Sequence, residues 1–440
     1  MKSQLPFKGS NPELNELKKN RREFHRYPEL GFREFWTTAR ICQYLDTLGV
    51  DFKYGRDLYS EIKDVSVEKD FINRLPDLNT SFQKARAKLG QNKWLAAQDG
   101  GYTGVVAHIK GRKVGPILGF RFDIDGLPVK ESTDADHVPA SEGFASTNDC
   151  MHACGHDGHI TIGLGLAARL AKNRDQLAGD VYLIFQPAEE GLGGGKVFQH
   201  IPEIKKLKFL ISLHLGIYNE RKIIANCKFL ACKWFKVKFK GEGAHAAVSP
   251  ELGKNALLAA CVAVSQLYAI SRHSQGMQRI GAGRFHCNNP TNIVADHAEF
   301  TFELRGENND ICNYLYDRAS TIIDSAAKMH DCQSEIILEG EAITLDNNAE
   351  LSQKVRQSVL SLGVAEADIV DFFLTPGGED AFYLGDMVHR HGGKSTYICL
   401  GSPTKGGHHN PKFDFEEDMM QWAVDILWET IQALTRRSRK

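Results

Sequence analysis

The chain has 440 residues, of which 42% are apolar and 25% charged, with a formal net charge of −1. That length exceeds one ordinary core and points to two domains, while the apolar share suits a packed globular protein and excludes a disordered one. With charge balanced, nothing favours capture of nucleic acid or of an anionic membrane surface, so the expected partner is a small molecule.

The first residues, MKSQLPFKGSNPELNELKKNRREF, carry no apolar leader, and no later run approaches the roughly 18 apolar residues that span a bilayer. Asn11 caps a predicted helix that has Pro12 at its first position and Leu14, Leu17 and Phe24 on one face. A second helix carries Ile41, Leu45 and Leu48 and stops at Gly49, a residue suited to the left-handed position after a helix. Asp51 to Gly101 is polar and poorly periodic, with one short helix near Phe82 to Leu95, and receives no function. From Thr103 short apolar runs, TGVVAHI, PILGFRF, VYLIF and LKFLISL, alternate with helical segments such as His159 to Lys172. Buried strands alternating with helices predict an α/β layer with a mixed, mostly parallel sheet. Chemistry in such a sheet collects beyond the carboxyl ends of the strands, where Asp123, Asp125, Glu189, Glu190 and His214 fall.

Near Lys233 the texture changes. Phe235, Val237 and Phe239 alternate with Lys236, Lys238 and Lys240, the pattern of a strand with one wet face. A helix from Asn255 to about Ser271, strands near Gln278 to Phe285 and Ala298 to Arg305, a helix from Asp310 to about His330 and a strand near Ser334 to Leu338 follow. This β-α-β-β-α-β order is that of a split βαβ sandwich. Residues 232–343 are therefore read as an α+β satellite domain inserted into a catalytic domain made of 1–231 and 344–440.

The densest chemical signal is MHACGHDGH, residues 151–159, which sets His152, Cys154, His156, Asp157 and His159 among glycines. Thiolate and imidazole are transition-metal ligands, and glycine lets near neighbours converge on one ion. In FQPAEEG, Glu189 and Glu190 are consecutive carboxylates that point in different directions after a strand. One can bind a metal while the other handles protons. His214 in SLHLG and the pair His408 and His409 in GGHHNPKFDF complete a donor set large enough for two ions. Chemistry alone leaves His408 and His409 equivalent, and Cys150 lies close enough to compete with Cys154. Taken singly, the glutamates read as a solvated helix start and His214 as a structural residue; together they recur at strand ends.

MHACGHDGH, FQPAEEG, SLHLG, GEGAHAAVSPELGKNALLAA and GHHNPKFDF resemble the M20 metallopeptidase family, in its amidohydrolase branch with Cys at the metal site. The likeness spans nearly the whole chain. It implies two divalent ions, manganese or zinc, on Cys154, His156, Glu190, His214 and His409, with Glu189 as general base and Asp157 orienting a ligand His. His409 is preferred to His408 because the family His directly precedes the Asn-Pro step. His245 resembles a family residue that reaches the substrate oxyanion, often across a dimer interface, and Asn292 and Arg305 resemble substrate contacts. The implied activity is hydrolysis of the amide of an N-acyl or N-aroyl amino acid, above all p-aminobenzoyl-glutamate. Another acyl amino acid, such as a hippurate-like, acetyl or other aromatic conjugate, is the alternative. The implied assembly is a homodimer or a heterodimer with a homologous chain.

Two departures touch the substrate side. The chain has Gly378-Glu379-Asp380 where close relatives have Ser-Glu-Asp, and Ala295 where they have Pro after Asn-Val-Val. Cys227 and Cys232 lack the partners of a second metal or redox site and read as unreactive thiols. The ten cysteines are scattered instead of densely spaced as in a secreted scaffold, so a reducing cytoplasm is expected.

Overall fold

The structure, a computed structural model, describes residues 12–60, 62, 75 and 77–436. The Asn11 cap lies outside them. Two units emerge, one of Met1–Lys228, Asp346–Thr375 and Asp380–Lys440, the other of Phe229–Leu345 with Pro376–Glu379. The smaller unit thus begins a few residues before the boundary read from the sequence and gathers a distant tetrapeptide. The reason is hydrogen bonding: Leu230 N–H donates to the Gly377 carbonyl at 3.0 Å, and Arg305 Nη1 to the Pro376 carbonyl at 2.9 Å.

In the larger unit an eight-stranded sheet runs in the order Asp51–Tyr54, Val105–Lys110, Asp180–Gln186, Leu118–Asp123, Phe209–Leu215, Lys394–Leu400, Ile223–Ile224, Ile369–Val370. The four strands Asp180–Gln186, Leu118–Asp123, Phe209–Leu215 and Lys394–Leu400 are mutually parallel. Leu118–Asp123 is buried throughout, which is why its apolar run has no polar alternation. Helix Pro12–His25 buries Leu17 and Phe24, and helix Phe35–Thr47 buries Ile41 and Leu45 before Gly49 turns the chain at φ +61°.

The segment after residue 50 departs from expectation. Asp51–Tyr54 is a strand, paired antiparallel with Val105–Lys110, and Trp94 packs on Phe52 and Tyr54 at 5.2 and 5.4 Å. Helix Gly55–Tyr59 follows strand Asp51–Tyr54, and the helix expected near Phe82 to Leu95 is Leu78–Leu89, ending earlier than read because Gly90 at φ +61° stops it. Leu95 is buried from the short turn beyond.

The smaller unit holds the antiparallel order Gln333–Ala342, Ala231–Lys240, His297–Gly306, Gln278–His286. Its helices Ala256–Leu267 and Asn309–Met329 are capped by the side chains of Asn255 and Asn308, which accept from Leu258 N and Ile311 N. Phe235, Val237 and Phe239 enter its core, while Lys236 and Lys238 on the other face meet Glu299 and Glu335. That pairing cancels the basic stripe. Among the described residues no helix is long and apolar enough to cross a membrane, and the ten cysteines form no disulfide.

Candidate metal centre

The parallel strands deliver the donors to one edge of the larger unit. Asp125 follows Leu118–Asp123, Glu189 and Glu190 follow Asp180–Gln186, His214 is the sixth residue of Phe209–Leu215, and the His408–His409 loop follows Lys394–Leu400. Cys154 and His156 enter from the start of helix His156–Lys172, three residues earlier than the sequence suggested. Gly155 makes that entry at φ +89°, a left-handed conformation that favours glycine. Gly406 and Gly407, both at φ +74°, turn the last loop, and His409 N–H then donates to the Ala153 carbonyl at 2.8 Å. This bond ties the last loop to the Cys154 loop.

Cys154 Sγ lies 3.4 Å from His214 Nε2. His156 Nε2 lies 3.8 Å from Glu190 Oε1 and 3.9 Å from Glu189 Oε2, and His409 Nε2 is 3.4 Å from Glu190 Oε2. Metal–ligand bonds of about 2.0 to 2.3 Å at a tetrahedral angle would separate neighbouring donors by about 3.3–3.8 Å. The Cys154–His214, His156–Glu190 and His409–Glu190 gaps fall within that spacing. The buried His156 Nε2 and Glu190 Oε1 have no hydrogen-bond partner, an arrangement that leaves polar atoms costly unless a cation sits among them.

The imidazole tautomers agree with such a role. His156 Nδ1 is 2.9 Å from the Asp125 carbonyl and His214 Nδ1 is 2.7 Å from the Leu215 carbonyl. Each Nδ1–H therefore donates to backbone and leaves the Nε2 lone pair directed at the cluster. Burial drives His214 well below the usual imidazole range and holds it neutral. Burial also pushes the Cys154 thiol well up, with Glu190, Glu189 and Asp123 adding to it, and pushes Glu190 up to about 8. At His156 burial opposes a charge, yet Asp123, Asp125 and Glu190 outweigh it and hold the pKa up at about 10. These groups together call for a positive charge, which a divalent ion supplies in place of protons.

Neighbours of the cluster have other duties. Asp157 does not orient a ligand His: its Oδ2 accepts from Arg21 Nε at 2.9 Å and meets His25 Nδ1 at 2.8 Å. His156 is oriented by Asp125 instead. His159 receives Leu215 N–H at Nε2 and gives its Nδ1 proton to Asp123, so both nitrogens are used. His408 lies near Cys154 and His214, but its Nε2 is directed at the Leu215 carbonyl at 3.2 Å. Cys150 is half-buried and does not join any converging donor group among the described residues.

The Asp157 network has a measurable consequence. Burial opposes a charge on His25, yet its bonds to Asp157 and Glu131 prevail and hold its pKa up at about 9. A folded pKa above the unfolded value of about 6.5 means stabilisation that is complete below that value and fades as pH rises through 9. His25→Gln is expected to remove this pH-dependent part, of the order of ~3 kcal/mol. Thermal melts of both proteins from pH 6.5 to 9.5, at equal metal loading, check it: the gap in Tm must narrow as pH rises.

In the smaller unit His245 is exposed, and its Nδ1 accepts from Ala247 N and Val248 N, both at 3.2 Å. The proton is thereby placed on Nε2, which becomes a donor. Asn292 is its neighbour, since the Asn292 carbonyl accepts from Ala246 N at 2.9 Å. Arg305 is not brought to them. It lies near the far end of strand His297–Gly306, about 26 Å along from that corner at ~3.3 Å per residue. Its fork already holds Glu303, at 3.1 and 3.0 Å. The carboxylate it suits is thus supplied by the chain itself.

Known proteins share this arrangement of chain and fold. Residues 119–433 match the model of peptidase family M20/M25/M40. A p-aminobenzoyl-glutamate hydrolase subunit homolog from Haemophilus influenzae is 38% identical, covering 96% of this chain and 99% of its own. An indole-3-acetyl-aspartic acid hydrolase from Enterobacter agglomerans is 37% identical over 94% of both chains. Among solved structures, an aminobenzoyl-glutamate utilization protein from Klebsiella pneumoniae matches with a TM-score of 0.76 and 31% identity, over 94% of this chain and 95% of that one.

Proposed function

The chain belongs to peptidase family M20/M25/M40, and we propose that within it the chain hydrolyses the amide of an N-acyl or N-aroyl amino acid, p-aminobenzoyl-glutamate foremost. Cys154, His156, Glu190, His214 and His409 would hold two divalent ions, manganese or zinc, the thiolate favouring zinc and the carboxylate and imidazoles suiting either. Bound there, the ions supply Lewis-acid polarisation of the carbonyl and an acidic water.

The observation that carries this reading is the pair of orphaned, buried atoms His156 Nε2 and Glu190 Oε1, 3.8 Å apart, with a Glu189 carboxylate oxygen 3.9 Å from that same nitrogen. Glu189 takes a proton from the attacking water and returns it to the amide nitrogen as the C–N bond breaks, leaving a free carboxylate and an amine. His245, protonated on Nε2, donates to the developing oxyanion, and Asn292 beside it contacts the acyl amino acid. Arg305 is left out, because its fork is occupied. The subunit designation of the Haemophilus protein favours assembly with a second, homologous chain. Ten cysteines without a disulfide suit a reducing compartment such as the cytoplasm.

The 37% identity to an indole-3-acetyl-aspartic acid hydrolase favours a second reading, hydrolysis of an aromatic acyl-aspartate. Rates on p-aminobenzoyl-glutamate, indole-3-acetyl-aspartate and an N-acetyl amino acid decide between them. We expect kcat/KM on the first to exceed the others by at least about tenfold, the scale of discrimination by one or two methylenes in a pocket. The reverse order would transfer the assignment to the aspartate conjugate.

A further inference from the structure

We propose that Glu34 is a positioning residue for Glu189, acting through the backbone of Ala188; the inference rests on the reading of Glu189 as the proton carrier. Ala188 stands at φ +55°, a left-handed conformation that alanine adopts seldom, and Leu192 at +53° closes the same turn. Glu189 follows Ala188 directly, so this short stretch of strained backbone sets where its carboxylate points, while the metal-ligand candidate Glu190 is tethered separately, its N–H donating to Asp125 Oδ2 at 3.0 Å. Something must hold it.

Glu34 does so from a fully buried position in the turn before helix Phe35–Thr47. One carboxyl oxygen accepts the Ala188 N–H at 2.8 Å, and the other accepts the Thr103 hydroxyl at 2.7 Å. On the same side Gly31 has no room for a side chain: a Cβ there would lie 2.9 Å from both Cα and Cβ of Ala188. The far side of the turn is closed internally, with Leu192 N–H on the Glu189 carbonyl at 2.7 Å and Gly194 N–H on the Ala188 carbonyl at 3.1 Å. Glu34 and Gly31 therefore form the floor against which the Glu189 turn is seated. A carboxyl in this place is an uncomfortable choice for stability alone, since burial, with nearby Asp125 adding to it, pushes its pKa up to about 8.

The test compares wild type, Glu34→Ala, Glu34→Gln, Glu189→Gln and the double variant Glu34→Ala with Ala188→Gly, reading kcat, KM and bound metal on p-aminobenzoyl-glutamate. Glu34→Ala should lower kcat by about 100-fold, the cost of a misplaced reacting group, with KM within threefold and metal content unchanged. Glu34→Gln keeps an acceptor for the Ala188 N–H and should recover most of the loss. Glycine adopts positive φ without strain, so Ala188→Gly should restore kcat at least about tenfold in the Glu34→Ala background. If Glu34→Ala does not fold, Gly31→Ala pushes the same backbone and must show the same loss of kcat with metal intact. Glu34→Ala at near wild-type kcat, a loss that tracks metal content, or no recovery with Ala188→Gly would each overturn the inference while an inactive Glu189→Gln left the base assignment standing. An active Glu189→Gln would overturn both.

Discussion

Glu189→Gln is expected to lower kcat by about 10³-fold or more while both metal ions stay bound, at the upper part of the range for removing a general acid–base group. The substitution keeps the shape of the side chain and leaves the turn intact, because the Leu192 N–H bond goes to the Glu189 main-chain carbonyl. What it removes is the only capacity of the side chain to accept a proton from water. Glu189 is 6% exposed, so bulk solvent is a poor substitute for that base. Steady-state rates and metal analysis on the purified variant check the expectation. Activity within tenfold of wild type, with metals retained, would contradict the assignment.

Cys154→Ala is expected to be as damaging by a different route. Cys154 is buried, and its sulfur is 3.4 Å from His214 Nε2, so the thiolate is placed to share an ion with that imidazole. Losing a partner of a ligand commonly costs 10–100-fold in metal affinity, so losing a ligand should cost at least about 100-fold. Activity should fall with metal content and return only partly at high metal concentration. Equilibrium dialysis against zinc or manganese, followed by assay, separates this outcome from Glu189→Gln. A variant that binds both ions at wild-type affinity would remove Cys154 from the ligand set.

How much of this was visible in the amino-acid order depends on the range of each interaction. The buried parallel strands announced themselves as continuous apolar runs, and the satellite strand Ala231–Lys240 by its alternation of Phe and Val with Lys, because burial on two faces or one writes itself directly into the residue pattern. The converging donors were legible too: Cys, His and Glu at strand ends have few other uses in combination. The four-residue strand Asp51–Tyr54 was missed because four residues are too few to show a period, and its hold on Trp94 comes from 40 residues away.

Roles that depend on contacts across the fold were hidden altogether. Asp157 is adjacent to His156 in sequence but bonds to Arg21, 136 residues distant, so proximity along the chain misassigned it. Asp125 was noticed at its strand end without a task, although its carbonyl fixes the His156 tautomer. Glu34 carried no signal beyond a turn with Gly31 ahead of a helix, and its relation to Ala188 spans 154 residues. Arg305 looked like a carboxylate binder because it is one, but its partner is Glu303, two residues back on the same strand.

Metal-dependent hydrolysis stands or falls on glutamate release from p-aminobenzoyl-glutamate by metal-stripped protein, followed as manganese or zinc is added back. No release is expected without metal, and the rate should climb to a plateau at two ions per chain. Release that persists in chelator, or metal that binds at the cluster without restoring hydrolysis of any acyl amino acid, would contradict it.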